Sequence, residues 1–380
     1  MAPGQTVIVL AGDYPERIQI TRSGASGSPI TFSGQGTVTM RGFALMADYI
    51  TIIGFDISDT TDHWRDGIGI FVEGGHCSIE GNYVHFATRG GITLTADTSD
   101  CVVRDNRLYR NALAGIELSG RDHLIDGNEI WGTIQHHPDW SSVPDGADAD
   151  GMRFFGSGHV IRGNYIHDIN LEDPENVDPH IDCFQTWGHS GQEPATDIVI
   201  EQNRCENLNE GMYAFMLADA SNLIIRNNLI QAYGGVNTGG GGNSHLTIVN
   251  NVFANDLSIG PYPGGVGLED CPNSIVMNNI FYDQPPYYLS VEGTSQQGLQ
   301  AGHNLIYRSD GLESQGTQYP GDVWGLDPLL ANPGEGNFHL KSGSPAIDTG
   351  ASLSQVTNDY DGNSRPRGSG YDIGAFEKAP

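Results

Sequence analysis

The sequence predicts an all-β protein, a right-handed parallel β-helix built as a single-stranded solenoid of about ten or more rungs. Three observations predict it: one strand-and-asparagine pattern recurs eight times, its base period is near 24 residues, and glycine (52 of 380 residues) is frequent enough to punctuate turns throughout. With 38% hydrophobic and 17% charged residues, the chain can fill a narrow continuous core.

The repeats read CSIEGNYV (from Cys77), CVVRDNRL (Cys101), HLIDGNEI (His123), HVIRGNYI (His159), IVIEQNRC (Ile198), LIIRNNLI (Leu223), LTIVNNVF (Leu246) and SIVMNNIF (Ser274). Alternating apolar residues before the asparagine specify a strand with one buried face. Their asparagines are Asn82, Asn106, Asn128, Asn164, Asn203, Asn228, Asn251 and Asn279, at intervals of 24, 22, 36, 39, 25, 23 and 28. Asparagine tolerates the left-handed turn and its amide can bond the same amide one rung away, so these eight are structural. The pattern fades after Tyr307. Residues 1–307 are therefore read as the solenoid and 308–380 as a C-terminal capping segment packed on it.

The formal charge is −29, and the two lysines, Lys341 and Lys378, both lie near the C-terminal end. A basic track for a phosphate backbone cannot be assembled, which excludes nucleic acid. The same charge repels anionic membranes and, unless cations bridge the surfaces, polyuronates. No run of about 18 apolar residues offers a membrane span. A strand begins within the first few residues (GQTVIVL from Gly4), from which we expect an export signal to have been removed and the protein to act outside the cell. Five cysteines cannot all pair with one another; Cys77 and Cys101, each five residues before a repeat asparagine, are read as stacked buried thiols.

The opening GQTVIVLAGDY (from Gly4) with SPITFSG (from Ser28), and the later GSPAIDTG (from Gly343) with YDIGAFE (from Tyr371), resemble the first coils and a C-terminal segment of the pectate-lyase-like parallel β-helix superfamily. The resemblance covers nearly the whole chain. It implies the fold and a carbohydrate-active role, while the superfamily's lyases, hydrolases, epimerases and binding proteins leave the reaction open.

Two intervals exceed the base period by about 12 and 15 residues, and insertions in solenoids gather on the binding face. They contain QHHPDWSSVPDGADAD (from Gln135), INLEDPENVDPHID (from Ile169) and GHSGQEP (from Gly188). Aligning the strands DGIGIF (from Asp66), GGITLT (Gly90), AGIELS (Ala114), DGMRFF (Asp150), DCFQTW (Asp182) and EGMYAF (Glu210) puts Ile68, Ile92, Ile116, Met152, Phe184 and Met212 in the core. Glu117, Arg153, Gln185 and Tyr213 then point outward on an exposed, hydrogen-bonding sheet, and Asp150, Asp182 and Glu210 stack at its edge, with Asp148 and His180 beside them.

Stacked like charges need a cation, a shared proton or a substrate, so the column is the candidate site. Asp182 is assigned as nucleophile or base and Glu210 as proton donor, with Asp150 tuning or replacing one of them. Carboxyls one rung apart (~5 Å) suit retention in glycoside hydrolysis and two rungs apart (~9–10 Å) approach the inverting separation. Arg153, His180, Gln185, Trp187, Tyr213 and Glu117 are the candidate substrate contacts, Trp187 by ring stacking on a sugar. No cofactor is required, but Asp145 and Asp148 in DGADADG could supply oxygen ligands to calcium, without the spacing of an EF-hand. Histidine ligation of zinc would need convergence of His136, His137, His180 and His189.

The expected function is thus an extracellular glycoside hydrolase acting on a polysaccharide or oligosaccharide, as a monomer, without nucleic-acid or membrane partners. The first alternative is a polysaccharide lyase or uronate C5-epimerase, using Arg153 and His180 to handle a uronate carboxylate and its C5 proton. Asp178-Pro179-His180 resembles the D-P-H core of the alginate C5-epimerase motif, although Ile181 replaces the glutamate that follows there. The second alternative is a noncatalytic carbohydrate-binding β-helix.

Overall fold

The computed structural model describes residues 1–380 except 62–64, 141–146, 189–190, 209–212, 233, 256–263, 285–286 and 380. The chain is a right-handed parallel β-helix and comprises two compact units, Met1–Ala195 and Thr196–Pro380.

In the first unit each coil contributes short strands to three parallel sheets, and one apolar side chain from each strand enters the core. The inward columns are Ile52, Ile79, Val103, Ile125 and Ile161 in one sheet, and Ile57, Val84, Leu108, Ile130 and Ile166 in the next. In the third sheet Phe43, Ile70, Ile92, Ile116, Met152 and Phe184 stand in register. All sixteen of these side chains are at most 1% exposed. Burial of each is worth about 1.5–3 kcal/mol, which is what offsets the entropy of ordering a coil.

The first of the six aligned strands departs from the sequence alignment. Ile70, not Ile68, pairs with Ile92, while Ile68 pairs with Gly90. The register is set by Gly69, Gly91, Gly115 and Gly151, where the strand presses against the branched residue of the following sheet. A Cβ at Gly69 would lie 2.4 Å from Val84, and one at Gly115 2.3 Å from Ile130. DGIGIF carries two glycines, and it is the second that this close approach requires. The shift moves Asp66 out of line with Gly90 and Ala114, and it forms an ion pair with Arg17 at 3.3 Å.

The asparagines form ladders within each unit. Asn106 Nδ2 donates to Asn128 Oδ1 at 3.0 Å, Asn128 Nδ2 donates to Asn164 Oδ1 at 3.0 Å, and the same acceptors take the backbone N–H groups of Asn106 and Asn128. The second unit repeats this from Asn203 through Asn228 and Asn251 to Asn279, then adds Asn304 and Asp322. The left-handed backbone sits one residue earlier than the sequence reading placed it, at Gly81, Asp105, Gly127 and Gly163 and at Gln202, Asn227, Asn250 and Asn278.

That offset explains the Asn-Asn pairs of the second unit. The second asparagine builds the ladder, and the first holds the C-terminal segment: Asn227 Nδ2 donates to Asn358 O (2.8 Å), Asn250 Nδ2 to Asp372 O (3.1 Å) and Asn278 Nδ2 to Ala351 O (2.8 Å). Strand Val323–Trp324 adds a coil beyond Tyr307 by pairing with Leu305 and Ile306. The remainder lies along the flank of the coils, where Phe338, Leu340, Ile373 and Phe376 pack on Leu229, Val252, Ile280 and Leu305.

Cys77 and Cys101 are free and buried, and Cys77 N–H points to Cys101 Sγ at 3.4 Å. His123 and His159 continue this inward column with rings stacked 4.9 Å apart. On the outer surface Tyr109, Trp131 and His167 stack ring on ring along the coils, at 5.0 and 6.0 Å. Their faces are used by one another, so they stabilise the surface rather than offer a sugar platform.

Candidate functional site

In the first unit the third sheet carries an outward column, Gln19, Ala44, Phe71, Thr93, Glu117, Arg153 and Gln185, each in register with the next. Alternation places it opposite the core residues Ile116, Met152 and Phe184. The predicted outward direction holds, but the predicted exposure does not. Arg153 and Gln185 are each 7% exposed and Asp150 and Asp182 are 0% and 1% exposed, in the strands Asp150–Phe154 and Asp182–Thr186 that directly follow the two insertions.

Gln135 ties those insertions together. Its Nε2 donates to Ala147 O (2.7 Å), its Oε1 accepts from Val177 N–H (2.9 Å), and its backbone N–H donates to Asn176 Oδ1 (2.6 Å). Arg110 anchors the same wall by ion-pairing with Asp173 and with Glu175, the latter at 2.7 Å. The sequence reading assigned neither residue. Gln135 opens the insertion and Arg110 follows a repeat strand, and neither carries a spacing signal.

Behind the wall, Arg153 Nε donates to Asp150 Oδ2 at 2.6 Å, and Asp150 Oδ1 accepts Asp182 N–H at 3.3 Å. Both Asp150 oxygens are therefore committed. Burial, reinforced by Asp148 and opposed by Arg153, pushes the Asp150 carboxyl up to about 7. Burial draws the Arg153 guanidinium down, but Asp150, Glu117 and Asp148 outweigh it and hold it above its ordinary value. Asp150, read from the sequence as tuning or replacing a catalytic carboxylate, thus lies buried against the Arg153 guanidinium, with both oxygens bonded within the cluster.

Asp148 is shared with the exposed side of the site. Its Oδ1 accepts His180 N–H (3.1 Å) and lies 3.9 Å from His180 Nδ1, and its Oδ2 lies 3.4 Å from Gln185 Nε2. The His180 side chain is 56% exposed. Trp187 borders the same group, with the Arg153 guanidinium 5.4 Å from its ring centre and Phe155 edge-on at 4.9 Å.

Among the buried polar atoms without a hydrogen-bond partner among the described residues are Arg153 Nη2, a donor, and Gln185 Oε1, an acceptor. Their residues are paired one rung apart. Native proteins rarely leave such groups unmet, and a donor beside an acceptor that do not meet each other fits a ligand bearing both an anionic oxygen and a hydroxyl.

The structure thus brings together Asp148, Asp150, Arg153, His180, Asp182, Gln185 and Trp187, with Glu117 in register beside Arg153. Tyr213 belongs to the second unit, where it lines a cavity of about 320 Å³ with Asn237, Glu269, Tyr287 and Glu292. Glu210 and Asp145 lie outside the described residues. Among the described residues no group of three or more His, Cys, Asp or Glu is arranged to hold a metal ion, and no helix is long and apolar enough to cross a membrane.

A family model described as a right-handed beta helix region matches residues 16–130. The chain is 22% identical to the uncharacterized protein YwoF of Bacillus subtilis (strain 168), over 91% of this chain and 85% of that protein. Among solved structures it is similar to pectate lyase Pel9A (18% identity, TM-score 0.61, all of this chain and 89% of the other). It is also similar to a PL6 alginate lyase in complex with a trisaccharide (14%, TM-score 0.60, 85% and 78%) and to XylC in complex with xylose (11%, TM-score 0.57, 100% and 94%). At these identities the likeness is one of fold: this chain has a right-handed parallel β-helix.

Proposed function

We propose that the protein is a secreted polysaccharide-degrading enzyme that cleaves a uronate-containing glycan by β-elimination at the Arg153 site. The observation that carries this reading is the unmet pair, Arg153 Nη2 and Gln185 Oε1. A uronate presents a carboxylate to the first and a ring hydroxyl to the second, whereas a neutral sugar offers Arg153 Nη2 only uncharged oxygens and so a weaker hydrogen bond. The similarity to two proteins described as pectate and alginate lyases supports the same class.

In the reaction the Arg153 guanidinium draws charge from the uronate carboxylate, which makes the C5 proton easier to remove. Asp150 holds Arg153 through Nε and leaves Nη2 for substrate. A base takes the C5 proton, the electron pair forms the C4–C5 double bond, and the C4–O bond breaks with its pair on the leaving oxygen, which then takes a proton. His180, exposed and facing Asp148, is the described group suited to moving a proton, and Trp187 borders the ring. Calcium is a second proposal, with Asp148 as its described ligand and the role of bridging two acidic surfaces.

Carboxylate spacing supports hydrolysis by Asp182 with Glu210, but the similarity to proteins described as pectate and alginate lyases favours elimination. The test is a panel of polyuronates and neutral glycans, with and without added calcium, read by absorbance near 235 nm and by reducing ends. Elimination gives both signals, and only on uronates. Reducing ends without absorbance would replace it with hydrolysis, and binding without either signal would make the protein a carbohydrate-binding β-helix. Arg153→Lys should keep the charge, lose the clamp geometry and lower turnover by about 10²-fold or more.

A further inference from the structure

On the face that carries Arg153, but in the first coils, lies a cavity of about 370 Å³ whose lining includes Arg17, Arg41 and Arg65. Asp66 is the acidic residue among its described lining residues. In a protein with a net charge of −29 and 18 lysines and arginines in all, three arginines around one cavity form a local reversal of charge.

The three have different tasks. Arg17 is spent on structure: Nη1 donates to Ile68 O (2.6 Å), Nη2 to Phe43 O and Arg65 O (both 2.9 Å), and Nε faces Asp66 at 3.3 Å. It fixes the backbone that presents Arg65. Arg65 pairs with Glu73 at 2.6 Å, covers Phe71 at 5.3 Å, and keeps half of its side chain (51%) in solvent. Arg41 is exposed; its carbonyl accepts from Arg17 Nη1 (3.3 Å), but its guanidinium has no hydrogen-bond or ion-pair partner among the described residues, so its charge is available.

Gln19 and Ala44 in the cavity lining begin the outward column that ends at Arg153 and Gln185. Ala44 and Arg153 are four strand spacings apart along it, about 19 Å at ~4.8 Å each. Phe71 is buried beneath Arg65, so a chain running between the two places crosses the exposed half of Arg65.

We infer that this cavity is a distal subsite for a carboxylate-bearing sugar unit of the same polyuronate chain that is cleaved at Arg153. The inference rests on the elimination reading above and answers its main electrostatic objection. An acidic protein holds a long polyanion by meeting its carboxylates at isolated cationic points, here Arg153 and, several sugar units away, Arg41 with Arg65.

The experiment compares wild type with Arg41→Gln and Arg65→Gln on oligouronates of graded length, read at 235 nm. On long chains each variant should raise KM about fivefold or more at low salt, with kcat within about twofold and the difference shrinking as salt is added. A trisaccharide, too short to reach, should be cleaved equally by all forms. An unchanged KM on long chains, or equal losses on short and long ones, overturns the subsite. If no form gives a 235 nm product, the elimination reading fails, and calorimetric titration with a long oligouronate decides the subsite alone. Weaker binding by Arg41→Gln upholds it, whereas binding equal to wild type, or a free monouronate competing as well as the long chain, overturns it.

Discussion

Arg153 Nε and Asp150 Oδ2 meet at 2.6 Å with the aspartate wholly buried and the arginine 7% exposed. Asp150 depends on that cation, because burial alone drives its carboxyl upward. Arg153→Met keeps most of the volume and removes the charge, so Asp150 should then hold its proton to still higher pH. A carboxyl whose folded value exceeds its unfolded value (~3.9) contributes stability that is fully present below the unfolded value and lost as pH rises through the folded one. Between pH 5 and 8, urea midpoints of Arg153→Met should therefore fall more steeply than those of wild type, and adding Asp150→Asn should flatten the curve. Parallel curves for all three would show that the pair is not electrostatically coupled.

Gln135 should be separable from the solenoid it stands on. Gln135→Ala removes the bonds to Ala147, Val177 and Asp178 while leaving the core columns untouched. Each buried group left unmet costs about 1–3 kcal/mol, a loss confined to the two insertions. The expected result is early proteolytic cleavage within 135–149 and 169–181, about tenfold weaker glycan binding, and an unfolding midpoint near that of wild type. A midpoint lowered in proportion to the binding loss would make Gln135 part of the folding core.

The repeats made the fold legible because a solenoid writes the same demands into every coil: an apolar residue inward, an amide at the turn. Legibility failed where one residue type has two uses. Gly67 and Gly69 look alike in DGIGIF, and only the contact of Gly69 with Val84 distinguishes them. In the Asn-Asn pairs the repeat accounts for the second member alone, and the first proves to hold the C-terminal segment. At the site, spacing put Asp150, Arg153, Asp182 and Gln185 on neighbouring strands but read them as exposed, since periodicity reports which way a side chain points and not how deeply packing buries it. Gln135 and Arg110 were unreadable for the same reason, their partners being set by loop geometry.

The two uses of asparagine can be separated at neighbouring positions. Asn228→Ala removes donors to Ile200 O (2.9 Å) and Asn251 Oδ1 (3.0 Å) and the acceptor that serves Asn203, all of them buried. It should destabilise the coils by roughly 3 kcal/mol or more. Asn227→Gly keeps the left-handed backbone (φ 52°) and loses only the bonds to Asn358 O and Arg365. Hydrogen exchange should then rise in 346–378 while the coil strands stay protected. Equal exchange in both regions for both variants would mean that ladder and flank unfold as one.

The stacked pair His123 and His159 sets an acid limit on stability. His159 Nε2 lies 2.8 Å from Phe155 O and its Nδ1 accepts His123 N–H at 3.2 Å, so the neutral ring satisfies both neighbours. Burial, and then the neighbouring His123, push it down to about 4. A histidine with a depressed folded value contributes stability that is present above its unfolded value near 6.5 and lost as pH falls toward the folded one, because the unfolded chain takes up the proton first. The loss between pH 6.5 and 4 is at most ~3.5 kcal/mol at about 1.4 kcal/mol per pH unit. Leu223, five residues before its own ladder asparagine as His159 is, shows that leucine fits this repeat position. His159→Leu should therefore lower stability near neutral pH by about 1 kcal/mol, through the lost acceptor, yet lose less on acidification. The check is a set of urea midpoints at half-unit steps from pH 4 to 7, and an acid limb as steep in His159→Leu as in wild type would assign the acid sensitivity to other groups.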